Sequence, residues 1–232
     1  MKAFLLAVGY GTRLKPFTDT VPKCMMPICG KPLLSWWMEL FEKHSVTEVL
    51  VNTHYLPDAV REFVQIYNAK NTGVRLIEAY EKELLGSGGT ILANKGFVES
   101  ESDFLVCYAD NLTDTNLSEL IAFHRKKQSV LTMGLFYTNK PIECGIAAID
   151  SQDLIYEFTE KPESPKSNLA NAGIYVTGQE IFKYLPNQKF IDFGKDVLPK
   201  LINKMYGYEI KDYLLDIGNL DNYEKAQKEW QL

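Results

Sequence analysis

The strongest constraint on the fold of this chain is its opening run, Lys2-Ala3-Phe4-Leu5-Leu6-Ala7-Val8, a short apolar stretch cut off by Gly9 and Gly11. Such a run suits a strand covered on both faces, and that strand belongs in a sheet with helices above and below it. The next segments agree. Leu33, Leu34, Trp37, Leu40 and Phe41 recur at helical spacing and predict a helix over 32–44, with Pro32 where a first turn tolerates proline. Residues 48–53 read as a strand, 57–67 as a helix with Val60, Phe63, Val64 and Tyr67 on one face, and 74–79 as a strand again. A second glycine cluster, Gly86-Ser87-Gly88-Gly89, opens another helical segment, and 103–108 forms a buried strand running toward Asp110.

The second half is richer in strands. Residues 117–127 predict a helix, and 130–137, 145–149, 154–160 and 173–176 predict strands. Helices are expected over 180–184, 194–204 and 222–230, with a short strand between 208 and 215. The alternation predicts an α/β fold: a Rossmann-like mixed, mostly parallel sheet flanked by helices, in one domain over 1–232. Ligands of such sheets lie beyond the carboxyl ends of the strands, where both glycine loops and Asp110 would fall.

Composition narrows the partners. With 46% hydrophobic residues in 232, the chain can bury a sizeable core. A formal net charge of -5 argues against nucleic acid as a partner, so any phosphate site must be local. The run His124-Arg125-Lys126-Lys127 closes a predicted helix, where cations favour the negative helix end, and carries no function in this reading. Cys24, Cys29, Cys107 and Cys144 have no CxxC spacing and no nearby histidine pattern for zinc, so reduced thiols are expected. The apolar opening run is too short for a signal peptide or membrane span. No membrane contact and a cytoplasmic location are therefore expected.

The first loop carries the chemistry. Gly9-Tyr10-Gly11-Thr12-Arg13-Leu14-Lys15-Pro16, then Pro22-Lys23, sets backbone amides and three cations close together, a pattern able to cradle phosphate. It is neither GxxxxGK[ST] nor GxGxxG, since Leu14 stands where the third glycine should be. A Gly-x-Gly alone also fits a plain turn with solvated cations. The longer string decides between these readings. Gly9-x-Gly11-Thr12-Arg13-Leu14-x-Pro16-x-Thr18, followed by Pro22-Lys23 and Pro27-Ile28-x-Gly30-Lys31-Pro32, resembles the signature of the nucleotidyltransferases that make NDP-sugars. The pattern within that family is most similar to the mannose and heptose 1-phosphate guanylyltransferases.

The resemblance continues along the chain and implies roles. Leu85-Gly86-Ser87-Gly88-Gly89 resembles the family's base-binding loop, Ala109-Asp110 its first metal aspartate, and Glu160-Lys161-Pro162 its sugar-phosphate motif. Asn171-Ala172-Gly173 resembles its sugar-binding strand and Asp216-Ile217-Gly218 its second metal aspartate. It implies that Leu6, Ala7, Gly9, Gly11, Thr12, Arg13, Lys23, Gly86, Gly88 and Asp110 bind the nucleotide. Arg13, Lys23 and Asp110 would be catalytic, and Asp110 and Asp216 would hold Mg²⁺. Gly145, Glu160, Lys161 and Asn171 would take the sugar phosphate. Three positions depart from the family pattern: Val8 in place of a glycine, Cys24 in place of a proline, and Cys144 in place of an aromatic residue.

The activity implied is transfer of a nucleotidyl group from a nucleoside triphosphate to a sugar 1-phosphate, with release of pyrophosphate. Glu81-Lys82-Glu83-Leu84-Leu85-Gly86 lacks the glutamine of the thymidylyltransferases and is more similar to the guanylyltransferases, so GTP is the expected donor, with UTP and then dTTP and CTP as alternatives. A catalytically silent regulatory subunit is the reading from another class. A glycosyltransferase would need a DxD-like pair, which Asp110-Asn111 with Asp114 does not supply. The chain ends soon after Asp216, so no left-handed β-helix is expected, and the oligomeric state, a homodimer included, is left open.

Overall fold

The computed structural model describes residues 1–7, 9 and 11–230. Along the chain the strands are β1 (Lys2–Leu6), β2 (Pro27–Ile28), β3 (Lys31–Pro32), β4 (Glu48–Thr53), β5 (Arg75–Tyr80), β6 (Asp103–Tyr108) and β7 (Asn111–Thr113). They continue with β8 (Leu131–Tyr137), β9 (Gly145–Ile149), β10 (Ile155–Glu160), β11 (Leu169–Gly178), β12 (Met205–Glu209) and β13 (Leu214–Asp216). The α-helices are α1 (Leu33–Lys43), α2 (Pro57–Ala69), α3 (Ser87–Ala93), α4 (Leu117–Lys127) and α5 (Leu220–Glu229). Two compact units emerge, one of Met1–Leu84, Tyr108–Asp114 and Asp212–Leu232, the other of Leu85–Cys107 and Thr115–Lys211.

The first unit contains the expected β-α-β-α-β run. Strands β1, β4 and β5 pair in parallel, with Lys2 opposite Glu48 and Glu48 opposite Arg75. Ala3, Phe4 and Leu5 are fully buried, which is why this strand carries no polar alternation. Helix α1 buries Leu33, Leu34, Trp37 and Phe41 almost completely, while α2 begins on Pro57 and turns Val60 and Tyr67 inward. A short antiparallel pair, β7 with β13, sets Asp216 opposite Asn111.

The second unit is built mainly from antiparallel strands. Its sheet runs β10-β9-β11-β6, with β8 on β11 and β12 parallel to β8. The ten-residue β11 serves several neighbours in turn, pairing Ala170 with Ile146 of β9, Ile174 with Cys107 of β6 and Tyr175 with Met133 of β8. A register shift between Asn171 and Tyr175 marks a bulge at Gly173, whose φ of 67° only glycine adopts readily.

Three expectations need correction. Residues 194–204 do not form an α-helix: a π-turn spans Phe193–Val197 and a 3₁₀ turn Leu198–Leu201, and Pro199 offers no N–H with which to continue an α-helical ladder. The 180–184 helix is a 3₁₀ turn over Gln179–Lys183. The single strand expected between 208 and 215 is divided into β12 and β13, which pair with different partners, β8 and β7. Among the described residues no helix is long and apolar enough to cross a membrane.

Candidate functional site

The end of β1 is fixed before the loop begins. The Ala7 N–H donates to Asn52 Oδ1 at 2.8 Å, and the Asn52 amide donates in turn to the Glu81 carboxylate at 2.8 Å. Both Asn52 and Glu81 are buried, so this relay is shielded from water and sets where the chain leaves the sheet. Beyond it Gly11, at φ 59°, caps a 3₁₀ turn over Thr12–Leu14, and its carbonyl accepts from Leu14 N at 2.8 Å and Thr18 Oγ1 at 2.7 Å. Buried Leu14 anchors that turn and leaves Arg13 exposed. A second 3₁₀ turn, Lys23–Met25, follows Pro22 and presents Lys23.

Lys23 joins the two aspartates. Its Nζ lies 2.8 Å from Asp110 Oδ2 and 3.3 Å from Asp216 Oδ1, with only 10% of the side chain exposed. The backbone makes this convergence possible: Asp110 sits between β6 and β7, β13 pairs with β7, and the Ile217 N–H donates to the Asp110 carbonyl at 2.9 Å. The Gly218 N–H donates to Asp216 Oδ1 at 2.7 Å, and Asn222 Nδ2 holds the Asp216 carbonyl at 2.7 Å. A methyl group on Gly218 would stand 2.8 Å from Asp216 Oδ1, 2.9 Å from Arg13 Nη2 and 3.0 Å from Lys23 Nζ. Three charged groups therefore gather over one glycine.

The charges shift one another. Burial would lower the proton affinity of Lys23, but Asp110 and Asp216 hold its ammonium above the ordinary lysine value. Burial would raise Asp110, and the charge and hydrogen bond of Lys23, helped by Arg13, bring it below the usual carboxylate range. Asp216 is raised by burial and then by Asp110's charge, against the pull of Lys23. Lys23 and Arg13 together offset the charge of the two carboxylates, whose hard oxygen donors are of the kind that suits magnesium. The pair thus fits a divalent cation whose remaining ligands come from phosphate and water, although no larger cluster of acids, histidines or cysteines gathers among the described residues.

A cleft of about 250 Å³ opens here, lined by Leu6, Ala7, Gly9, Gly11, Thr12, Arg13, Lys23, Cys24, Ala109, Asp110 and Gly218. Every first-unit residue that the sequence reading assigns to the nucleotide lies on this wall. Cys24, Ala109 and Gly218 were not assigned there; Ala109 and Gly218 could have been found as chain neighbours of the aspartate motifs. Burial pushes the Cys24 thiol up to about 12, so it lines the cleft as a neutral group. Val8 and Tyr10 lie outside the described residues.

In the second unit the structure places the remaining candidates differently. Gly86 and Gly88 open α3 against the chain at 189–191: a Cβ on Gly88 would stand 2.6 Å from Ile191 Cγ2, and one on Gly86 would strike the Ile191 carbonyl. The Gly88 N–H already donates to that carbonyl at 2.8 Å. Gly145 and Glu160 are opposite each other on β9 and β10, and a Cβ on Gly145 would stand 2.6 Å from Glu160 Oε2. Gly194, which no sequence signal singled out, closes the other side, 2.9 Å from the same oxygen by the same measure. Burial raises the Glu160 carboxyl, with Lys161 opposing and Asp192 adding to the rise. Lys161 takes a left-handed backbone, φ 48°, and its N–H donates to the Cys144 carbonyl. The Asn171 side chain is engaged internally, donating to Tyr175 Oη at 2.6 Å and accepting from Gly173 N at 2.9 Å.

Known proteins are similar to this chain in sequence and in fold. A UTP–glucose-1-phosphate uridylyltransferase of Synechocystis sp. is 30% identical over 245 residues, covering 97% of this chain and 62% of its own. A mannose-1-phosphate guanyltransferase of Eremothecium gossypii is 30% identical over 223 residues, covering 94% of this chain and 61% of its own. The chain thus spans about three-fifths of the length of these relatives. Among solved structures, HddC from Yersinia pseudotuberculosis superposes with a TM-score of 0.84 at 26% identity, with 99% of both chains covered. The same protein complexed with GMP-PN gives a TM-score of 0.83. The family model described as nucleotidyl transferase matches residues 2–231, and the chain belongs to that family.

Proposed function

We propose that this chain, as one domain, joins a sugar 1-phosphate to a nucleoside triphosphate, GTP by preference, and releases pyrophosphate. The observation that carries the reading is the convergence of Arg13, Lys23 and Asp216 around Gly218, with Asp110 joined to them through Lys23, beside a cleft that Arg13, Lys23, Asp110 and Gly218 line. A phosphate oxygen of the sugar 1-phosphate attacks the α-phosphorus of the nucleotide. The new P–O bond forms as the bond to the bridging oxygen breaks, and pyrophosphate departs with that electron pair. The nucleophile is already anionic, so no serine, cysteine or histidine is required. Bringing two polyanions together is the obstacle, and fixed positive charge answers it.

Arg13 would hold the departing pyrophosphate and Lys23 the reacting phosphates. Asp110 and Asp216 would hold magnesium, which when bound supplies further neutralisation of phosphate charge. Lys161 would meet the sugar phosphate, with Glu160, Gly145 and Asn171 toward sugar hydroxyls, and Gly86 and Gly88 toward the base. The Ala7 amide already serves Asn52, so Ala7 would contact a nucleotide through its carbonyl or side chain. The guanyltransferase relatives and HddC with GMP-PN support GTP. The uridylyltransferase relative, at equal identity to the first of these, supports UTP as the second reading.

Pyrophosphate release from GTP, UTP, dTTP, CTP and ATP against a panel of sugar 1-phosphates, with magnesium, tests the proposal. Release with GTP and a hexose or heptose phosphate is expected. Release only with UTP would transfer the assignment to the second reading, and silence across the panel would favour a regulatory subunit.

A further inference from the structure

Resting on the phosphate-transfer reading and deepening it, we infer that Lys23 is a placeholder for the metal: its ammonium and a divalent cation compete for the Asp110–Asp216 pair, and the pair takes a cation firmly only when phosphate draws Lys23 away. The bridging oxygens are Asp110 Oδ2 and Asp216 Oδ1, at 2.8 and 3.3 Å from Nζ. Asp216 Oδ1 is pinned by the Gly218 N–H as well, so this oxygen cannot simply rotate out of the contact. Magnesium binds oxygen at about 2.0–2.1 Å, so a cation on either atom would lie beside an ammonium that already faces Arg13 Nη2 across the same glycine. Like charges at that range oppose one another, and the Lys23 side chain is only 10% exposed.

Lys23 has somewhere to go. It lines the same cleft as Arg13, Thr12 and Gly11, and its flexible four-carbon stem allows the ammonium to follow an entering phosphate without moving the backbone. Each phosphate group that takes up the ammonium frees two carboxylate oxygens. Coupling of this kind is reciprocal: phosphate strengthens cation binding, and cation strengthens phosphate binding. The consequence is an order, in which the chain without nucleotide holds divalent cation weakly.

Manganese is the probe, because it shares magnesium's preference for oxygen ligands, and its binding to the full chain is read by electron paramagnetic resonance with no substrate present. Lys23→Met should bind manganese at least about tenfold more tightly than wild type, within the ordinary range of coupling between sites. Lys23→Arg, which keeps the charge, should stay near wild type, and Lys23→Gln serves as a second neutral variant if circular dichroism shows that Lys23→Met is unfolded. Equal affinity in wild type and folded neutral variants would overturn the inference. So would a gain that survives Asp110→Asn in the Lys23→Met background, since the added site would then lie elsewhere. The titration is independent of turnover. Pyrophosphate release without the gain would remove the placeholder role alone, whereas the gain without release under any donor would leave it standing and remove the transferase reading.

Discussion

The two glycine-rich loops look alike as sequence and differ in what fills the space their side chains leave. A Cβ on Gly9 would meet nothing within 4 Å, and Gly9 faces an open cleft. A Cβ on Gly88 would collide with Ile191, and the Gly88 amide is bonded to the chain at that point. Gly145 and Gly194 resemble the second case, since their missing side chains make room for the carboxylate of Glu160. At Gly9, then, glycine leaves room for a ligand, while Gly11 of the same loop makes room for the Thr18 side chain. At Gly88, Gly145 and Gly194 it leaves room for the protein's own atoms, and any ligand must be met by groups held in place by that packing.

The largest effect that could break this contrast is on turnover. Arg13→Ala, with Arg13 exposed on the open loop, should lower kcat by about 10²–10³-fold with little change in thermal stability, the usual loss for one stabilising donor. Wild-type pyrophosphate release would remove the first loop from the chemistry. Next, Asp110→Asn should raise the magnesium needed for half-maximal turnover by at least roughly tenfold, and an unchanged titration would disqualify that carboxylate as a ligand.

Stability should then separate the loops themselves. Gly88→Ala should cost about 1–3 kcal/mol in denaturant unfolding, because the added methyl overpacks a closed contact. Gly9→Ala should stay within about 0.5 kcal/mol of wild type and act instead on the KM for nucleotide. The reverse pattern would mean that the first loop is the packed one.

The smallest effect concerns Glu160. Burial, partly offset by Lys161, raises its carboxyl above the ordinary value of 4.5. The folded chain therefore holds the proton more tightly than the unfolded one, and stability from this group falls as pH rises from 4.5 toward the folded value. Glu160→Gln removes that dependence, so its melting temperature relative to wild type should increase between pH 4 and pH 8. A flat difference would show that the carboxyl is not held against its charge. If Glu160 serves the sugar, the same variant should also need more sugar 1-phosphate.

Much of the first unit was legible because its signals are local. Apolar runs of strand length, helical spacing in 32–44 and 57–67, and glycine after β1 all act within a few residues. The second unit was less so. Pro199 marked a break within the expected 194–204 helix, but the π-turn that brings Gly194 to Glu160 depends on a neighbour more than thirty positions away in sequence. Similarly, the short β7 and β13 are too small to stand out from a sequence pattern, and only their pairing makes them strands.

By itself the sequence determined the groups available: a glycine turn with Arg13, a lysine after proline, aspartates at motif positions, and strands apolar enough to be covered. Tertiary structure decided how those groups are joined. It set Lys23 between Asp110 and Asp216, placed Gly218 where no side chain fits, bound the Ala7 amide to Asn52, and gave the second glycine loop a packing partner. The physical reason is range. Propensity and periodicity act between chain neighbours, whereas the charge held by a carboxylate and the room beside a glycine are set by whichever distant segment the fold brings there.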